Sequence, residues 1–412
     1  MINCPIIQLT DSNRWHFFGY YDRPSFDILG GRVLLHQVSP MNAFPDTGDS
    51  AVVGYMEPIP GGEFKPIWET TAWNWQQGAS LQWVSRSSTD LVCFNIRRSG
   101  SFGSMLIDLD RDDRKVFEWP IFAVRPDGLR GISLNIERLL FSHPTICYSL
   151  NKPISTTFER LPDDEGLYEV NLESGDSQLL VSLSEAAEIE FVSSMEDAFH
   201  WFSHPVYNPA GYRLLVLHRW SPNPSDQRTW RHRLLAIEIE PLIVDVLGCT
   251  DLFTPDYDNQ FKATNAVLSA QEKNTTMISH PVWCDNETVL AWSCHMGKQA
   301  FYLYHVSTGD VEEFGKGVLI ENGHATFSPD GRFLLLDTYP DEQSSLQSLM
   351  LYNIESTELF KVGQLYSPEL SKTCRCDLHP RWHPQGKQII FDSMHQGDRQ
   401  IFSADVSHIT SV

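Results

Sequence analysis

The chain has 412 residues, with 31 Lys and Arg against 53 Asp and Glu and a formal net charge of −22 when histidine is neutral. That acidity argues against nucleic acid or an anionic membrane as a partner, because both call for a basic field and counterion release. Hydrophobic residues at 42% and aromatics at 12% exclude disorder, while 25 Gly and 24 Pro fall in small turn-like groups suited to many short strands.

From the N-terminus, MINCPIIQLTDSNRW lacks a basic segment, a long apolar stretch and a small-residue cleavage site, so the sequence predicts a cytoplasmic protein. No run approaches the ~18 apolar residues of a membrane span. Cys4, Cys93, Cys147, Cys249, Cys284, Cys294, Cys374 and Cys376 are mostly isolated in apolar sequence, which fits reduced thiols rather than a disulfide framework. Length alone suggests two or three domains, a rule that β-barrels and propellers break.

A repeat runs along the chain. RPSFDILGGRVLLHQ opens it with Arg23 and, three residues on, Phe26. SLQWVSRSSTDLVCFN has Ser80 and Trp83 at the same two places, and PIFAVRPDGLRGISLN keeps only the turn from Pro126 to Gly128. HPVYNPAGYRLLVLH from His204, HATFSPDGRFLLLDT from His324 and HPRWHPQGKQIIFDS from His379 align without gaps. HPVWCDNETVLAWSC from His280 keeps the spacing, with Glu287 in place of the turn glycine. Each copy is followed by a second apolar-alternating stretch, from AVVGYME and SMLIDLD to QIFSADV.

Strand, turn, strand and a further strand read as an antiparallel meander. Seven copies at a period of roughly 59 residues predict an all-β, single seven-bladed β-propeller over 1–412, each blade needing its neighbours to bury its faces. Two stacked β-sandwiches are the alternative. CPIIQL, residues 4–9, is expected to supply the outer strand of the last blade. Three insertions read as face loops: Pro40 to Pro66, Phe158 to Asp164 with its flanks, and Asp251 to Thr276.

In a propeller the first strand of each blade lines the central channel, so one repeat position converges on the axis. Here it holds His204, His280, His324 and His379, with Arg23 in the first copy, and a set of four histidines predicts a metal or acid–base site. Imidazole nitrogen suits Mn, Fe, Ni, Cu or Zn. In TCRCDLHPRW, Asp377 and His379 lie two apart and would share a strand face, while the Cys374-x-Cys376 spacing is a weak zinc signal. Cys294 and His295 read as a buried cysteine beside an exposed histidine at a strand end. Arg97, Arg98, Arg138 and Arg219 occupy strand-like positions. HFFGYYDRP and TAWNWQQG add Tyr20, Tyr21, Trp73, Trp75 and Gln76, which suit a carbohydrate or carboxylate site and suit blade packing equally.

From about residue 200 to 406 the chain resembles the oligogalacturonate lyases. The resemblance rests on FSHPVYNPAG, ISHPVWCDNE, GHATFSPDG and CDLHPRWHPQGKQIIFDSMHQGDRQIFSADV. It implies a seven-bladed propeller with a divalent metal, usually manganese, in the central channel. It also implies His204 as catalytic base and His280 and His379 as metal ligands, and it matches His324 to a family histidine near the site. The family has a further histidine where this chain has Asp377, and a glutamine where it has Cys374. HFFGYYDRP and AWNWQQG have no counterpart there.

The chemistry so implied is β-elimination of a uronate glycoside, in which a divalent ion neutralises the carboxylate and a neutral base takes the C5 proton. The expected catalytic residues are His204 and Arg219. The expected metal ligands are His280, His324, Asp377 and His379, holding manganese by resemblance, with zinc or iron compatible. Arg23, Tyr21, Trp75 and Gln76 are expected to bind an acidic oligosaccharide or another small carboxylate-bearing ligand. A hydrolase using Asp377 or Asp22, and a non-catalytic glycan- or protein-binding propeller with structural histidines, are the competing readings.

Overall fold

The computed structural model describes residues 4–10, 13–84, 90–155, 157–250 and 277–411. It is a seven-bladed β-propeller of four-stranded antiparallel sheets, in which strands follow one another outward in sequence order. Blades 1 to 6 are residues 15–70, 82–117, 123–182, 199–249, 279–314 and 325–366. Blade 7 is residues 381–405, and it takes its outer strand from the other end of the chain. Ile6–Gln8 pairs antiparallel with Gln400–Asp405, Ile7 lying opposite Ser403.

The repeated sequence features have separate structural jobs. The glycine seven residues after the slot residue closes the first hairpin in a left-handed conformation, with φ of 81° at Gly211, 72° at Gly331 and 69° at Gly386, which glycine adopts without a Cβ penalty. In each, the strands rejoin across the same five-residue step, Asn208 N–H to Arg213 O, Ser328 N–H to Phe333 O and His383 N–H to Gln388 O. Blade 5 differs from the ungapped alignment. Without the glycine its turn is one residue shorter, Cys284 N–H bonding Thr288 O, and the Asp285 carboxylate caps both Glu287 and Thr288.

The repeated aromatic bolts one blade to the one before. The indole N–H of Trp83 donates to Ser25 O, that of Trp283 to Val206 O and that of Trp382 to Thr326 O. In each case the acceptor is the residue just before the preceding blade's own aromatic. The cores lie between blades, as where Ile132 and Leu134 of blade 3 meet Leu214, Val216 and Leu235 of blade 4. The ring closes between blades 7 and 1, where Phe18 N–H donates to the buried Asp392 carboxylate.

Several expectations need correcting. Pro40 to Pro66 is not one loop, because Ala51–Met56 and Lys65–Thr70 are the outer strands of blade 1. Arg138 is not in a strand; Ile136–Ser142 form helix α1, capped by the Asn135 side chain. Asp377 and His379 precede the strand Arg381–Trp382 rather than lying within it. The segment Phe158 to Asp164 carries no strand or helix, and Asp251 to Thr276 lies outside the described residues. Among the described residues no disulfide joins any of the eight cysteines, and seven of them are buried. Among the described residues no helix is long and apolar enough to cross a membrane.

Candidate metal and acid–base site

The inner strands aim their slot residues at the axis by bending. Register slips between Ser203 and Val206 and between Ser279 and Val282 mark bulges at His204 and His280, the device by which a strand re-aims one side chain. His204, His280 and His379 have φ of 55°, 53° and 43°, and Ser80, the equivalent residue of blade 2, has 54°. A non-glycine residue in this region costs about 1–3 kcal/mol, strain that concentrates where position matters.

His324, Asp377 and His379 are buried, and one ligating atom from each lies within 4.8 Å of the others. His379 Nε2 is 4.0 Å from Asp377 Oδ2 and is buried without a hydrogen-bond partner. Asp337 organises the group from behind. Its carboxylate accepts the backbone N–H of His324 at 2.7 Å and of His379 at 3.2 Å, and pairs with His324 Nδ1 at 3.0 Å. The His324 proton is thereby held on Nδ1 and its Nε2 lone pair is free, the arrangement in which histidines bind metals. Burial opposes ionisation of Asp377, but Arg375, 2.5 Å away, holds its carboxyl well below the usual carboxylate range. Burial, and then His324, keep His379 neutral well below its ordinary pKa. An unpartnered nitrogen, a second free nitrogen and an ionised carboxylate together fit a divalent cation.

His280 stands beside this group with its ring 4.2 Å from that of His324. Both its nitrogens are engaged: Nδ1 meets Asn322 Oδ1 at 3.0 Å, and Nε2 meets the Tyr339 hydroxyl at 3.1 Å. The amide oxygen fixes the proton on Nδ1, so Tyr339 donates to Nε2 and occupies the lone pair a metal would use.

The second half of the site is built on Arg219. Its Nε donates to His232 Nδ1 at 3.0 Å, while Nη1 lies against Ser203 Oγ, His143 Nδ1 at 3.3 Å and His204 Nδ1 at 3.5 Å. Burial and the Arg219 charge hold His204 well below its ordinary pKa. Its imidazole is therefore neutral at pH 7 and partly open to the channel.

Between the halves lie Tyr20 and Tyr21. The Tyr20 ring is 5.1 Å from His204 and 5.3 Å from His379, and the Tyr21 ring is 5.1 Å from His324. The Tyr21 hydroxyl is buried without a partner. Arg381 fixes this segment by donating to the carbonyls of Gly19, Tyr20 and His379. Gly19, at φ 94°, lies so close to the backbone of Gln77 that a Cβ would sit 2.8 Å from its carbonyl oxygen. HFFGYYDRP and AWNWQQG thus pack on each other as one support.

Arg23 is buried at the same level, paired with Asp22 at 2.8 Å and with its Nε unpartnered. Gln76 donates to Arg375 O at 3.2 Å, behind the Arg375–Asp377 pair. Trp75 is placed elsewhere: it packs in a core with Trp15, Phe17 and Trp73, bonds Ala43 O and lies under Arg399. Arg97 ties Thr71 to Ser149, Arg98 pairs with Glu118, and Arg138 holds α1. Cys294 is buried and His295 half-exposed at the end of the strand Thr288–His295. Cys374 and Cys376 are also buried in the core that holds Trp75. His143, Asn322, Asp337, Tyr339 and Arg375 lie off the repeated slot. Asp337 carried a signal, since it stands thirteen residues after His324 as Asp392 stands after His379, each ending an apolar run.

No protein-family model matches the chain, and no curated protein matches its sequence. Solved structures match its fold. An oligogalacturonate lyase in complex with manganese superposes with a TM-score of 0.66 at 14% identity, over 100% of this chain and 98% of that one. An oligogalacturonate lyase from Vibrio parahaemolyticus gives 0.61 at 13%, over 98% and 97%. A prolyl endopeptidase structure gives 0.50 at 10%, covering 96% of this chain and 48% of its own. The likeness to the lyases is one of fold, and it spans the first 200 residues as well as the blades that carry the motifs.

Proposed function

We propose that the protein is a metal-assisted lyase that cleaves a uronate-containing oligosaccharide by β-elimination. The observation that supports this best is the juxtaposition of a neutral, accessible His204 and Arg219 with the His324–Asp377–His379 group, whose His379 Nε2 is buried and unpartnered. The C5 proton of a uronate is weakly acidic until its carboxylate is neutralised. A divalent ion held by His324, Asp377 and His379, with His280 beside them, would supply that neutralisation. Nitrogen and oxygen donors of this kind suit manganese, zinc or iron, and manganese is named for one of the similar structures.

The chain's own groups then have distinct tasks. Arg219, cationic and fixed by His232, offers its charge to the carboxylate or to the charge that develops on it. The unpartnered Nε of Arg23 is a second donor at the same level. His204, neutral at working pH, takes the C5 proton. An anion entering the channel raises the basicity of His204 by screening Arg219. Although the molecule carries −22 overall, Arg219 contacts histidines and a serine rather than a carboxylate, and its charge makes the channel locally receptive to anions within a Debye length of ~8 Å.

The test is metal analysis of the purified protein, followed by incubation with uronate oligomers of different configuration. Elimination gives unsaturated products that absorb in the ultraviolet, whereas hydrolysis creates no double bond. Metal-free protein together with full activity in His379→Ala would reject the proposal. Glycan binding indifferent to chelator and to His204→Ala would point to a binding module instead.

A further inference from the structure

We infer that His143 is a positioning residue that sets the tautomer of His204, by accepting the Arg219 hydrogen that would otherwise occupy His204 Nδ1. The catalytic consequence rests on the lyase reading above; the tautomer does not.

A guanidinium only donates, and Nη1 has two hydrogens. Three acceptors surround it: Ser203 Oγ, the closest, His143 Nδ1 at 3.3 Å and His204 Nδ1 at 3.5 Å. One of the three goes without. A neutral imidazole has one N–H and one lone pair. If His204 Nδ1 accepts from Arg219, its proton sits on Nε2 and no base faces the channel. If His143 accepts instead, His204 can carry its proton on Nδ1 and present the Nε2 lone pair. His143 is the nearer, and burial beside Arg219 keeps it neutral and able to accept.

The fold holds His143 in place for this. It caps the C-terminus of α1, its N–H donating to Leu139 O at 2.6 Å. Its ring meets Trp230 edge-on at 4.8 Å, and Trp230 is anchored through its indole N–H to Pro224 O. Arg138 locks α1 to blade 4 through His200 O at 2.8 Å and to Glu165 at 2.6 Å. Blade 3 has no histidine in the repeat slot. It contributes one from an insertion, in a Ser142-His143-Pro144 sequence like Ser203-His204-Pro205.

The test compares the full-length protein with His143→Leu and His143→Asn, whose side-chain oxygen replaces Nδ1 as acceptor. The protein is zinc-loaded so that no paramagnetic ion broadens signals. Nitrogen-15 histidine spectra, with His204→Gln for assignment, should show His204 protonated on Nδ1 in the wild type and the Asn variant, and on Nε2 in the Leu variant. On a uronate oligomer the Leu variant should lose on the order of 10²-fold in kcat, with KM little changed and most of kcat restored by Asn. A wild-type His204 protonated on Nε2, or a Leu variant that keeps the Nδ1 proton, overturns the inference. Equal loss of kcat in Leu and Asn also overturns it. Should Leu fail to fold, the wild-type and Asn spectra still decide. Tautomers as expected without elimination on any uronate would overturn the lyase reading and leave the role of His143 standing.

Discussion

Asp337→Asn is the most informative single change, because Asp337 touches nothing a substrate would touch yet holds two of the three residues of the candidate metal group. Its carboxylate accepts from the backbone of His324 at 2.7 Å, from His324 Nδ1 at 3.0 Å and from the backbone of His379 at 3.2 Å. Asparagine keeps the size but turns one oxygen into a donor that faces a donor. Losing a charge-assisted bond in a buried place costs about 2–3 kcal/mol of stability. Removing the partner that orients a metal-binding histidine weakens metal affinity by about 10–100-fold, or ~1.4–2.7 kcal/mol. The stabilisation that saturating metal confers should shrink by the same amount. At 412 residues that is roughly 1 °C per kcal/mol, so the gap between metal-saturated and chelator-treated melting temperatures should close by about 2–3 °C. Calorimetric titration with Mn²⁺ or Zn²⁺ gives the affinity directly. Metal binding by Asp337→Asn as tight as in the wild type, with none in His379→Ala, would refute the organising role of Asp337.

Other outcomes follow from the same geometry. His36 is pushed down to about 3 and His200 to about 4, in both cases chiefly by burial. A histidine whose folded pKa lies below its unfolded ~6.5 binds protons better once unfolded, so stability falls as pH drops below 6.5, by ~1.4 kcal/mol per pH unit for each such group. Asp392, pushed up to about 7 by burial, and Asp22, also raised by burial, work the other way, but further buried histidines, His143, His218 and His232 among them, are held well below their ordinary value, so melting temperature should decline from pH 6.5 to 4.5; a flat profile would contradict this. With His204 held below its ordinary value, the acid limb of kcat/KM on a uronate oligomer should lie below ~6.5, and a limb at or above that value would remove His204 as base. Arg219→Lys keeps the charge but cannot reach His232 and His143 together; kcat should fall ~10²-fold, and near-wild-type turnover would make Arg219 a bystander. Trp382→Phe keeps most of the packing but leaves Thr326 O without its indole donor, costing ~1–2 kcal/mol in denaturant unfolding; no loss would mean that the blade-to-blade bolt is ring contact alone.

The number and kind of blades follow from the repeat alone. A fixed offset from slot residue to aromatic to turn glycine is a local pattern, and each part does a local job: the glycine closes the hairpin and the tryptophan ties to the blade before it. The same offset also marked His204, His280, His324 and His379, because the symmetry of a ring carries any residue at that offset to the axis. What the repeat could not convey is the turn of blade 5, where Glu287 shortens the hairpin by one residue, or the site residues that lie off the repeat. His143 arrives on α1 from an insertion, Tyr339 from the end of an inner hairpin, and Arg375 from the chain before blade 7. Trp75 and Arg138 read as site-like or strand-like on type and neighbours, yet one fills a core and the other pins a helix, since burial depends on what the far parts of the chain bring against it. Which histidine nitrogens are engaged is set by residues brought together from far along the chain: Asp337 holds Nδ1 of His324, Asn322 and Tyr339 take both nitrogens of His280, and the Arg219 hydrogens bear on Nδ1 of His204. Hydrogen-bond partners of that kind lie 13 to 76 residues away in sequence, and no spacing rule reaches them.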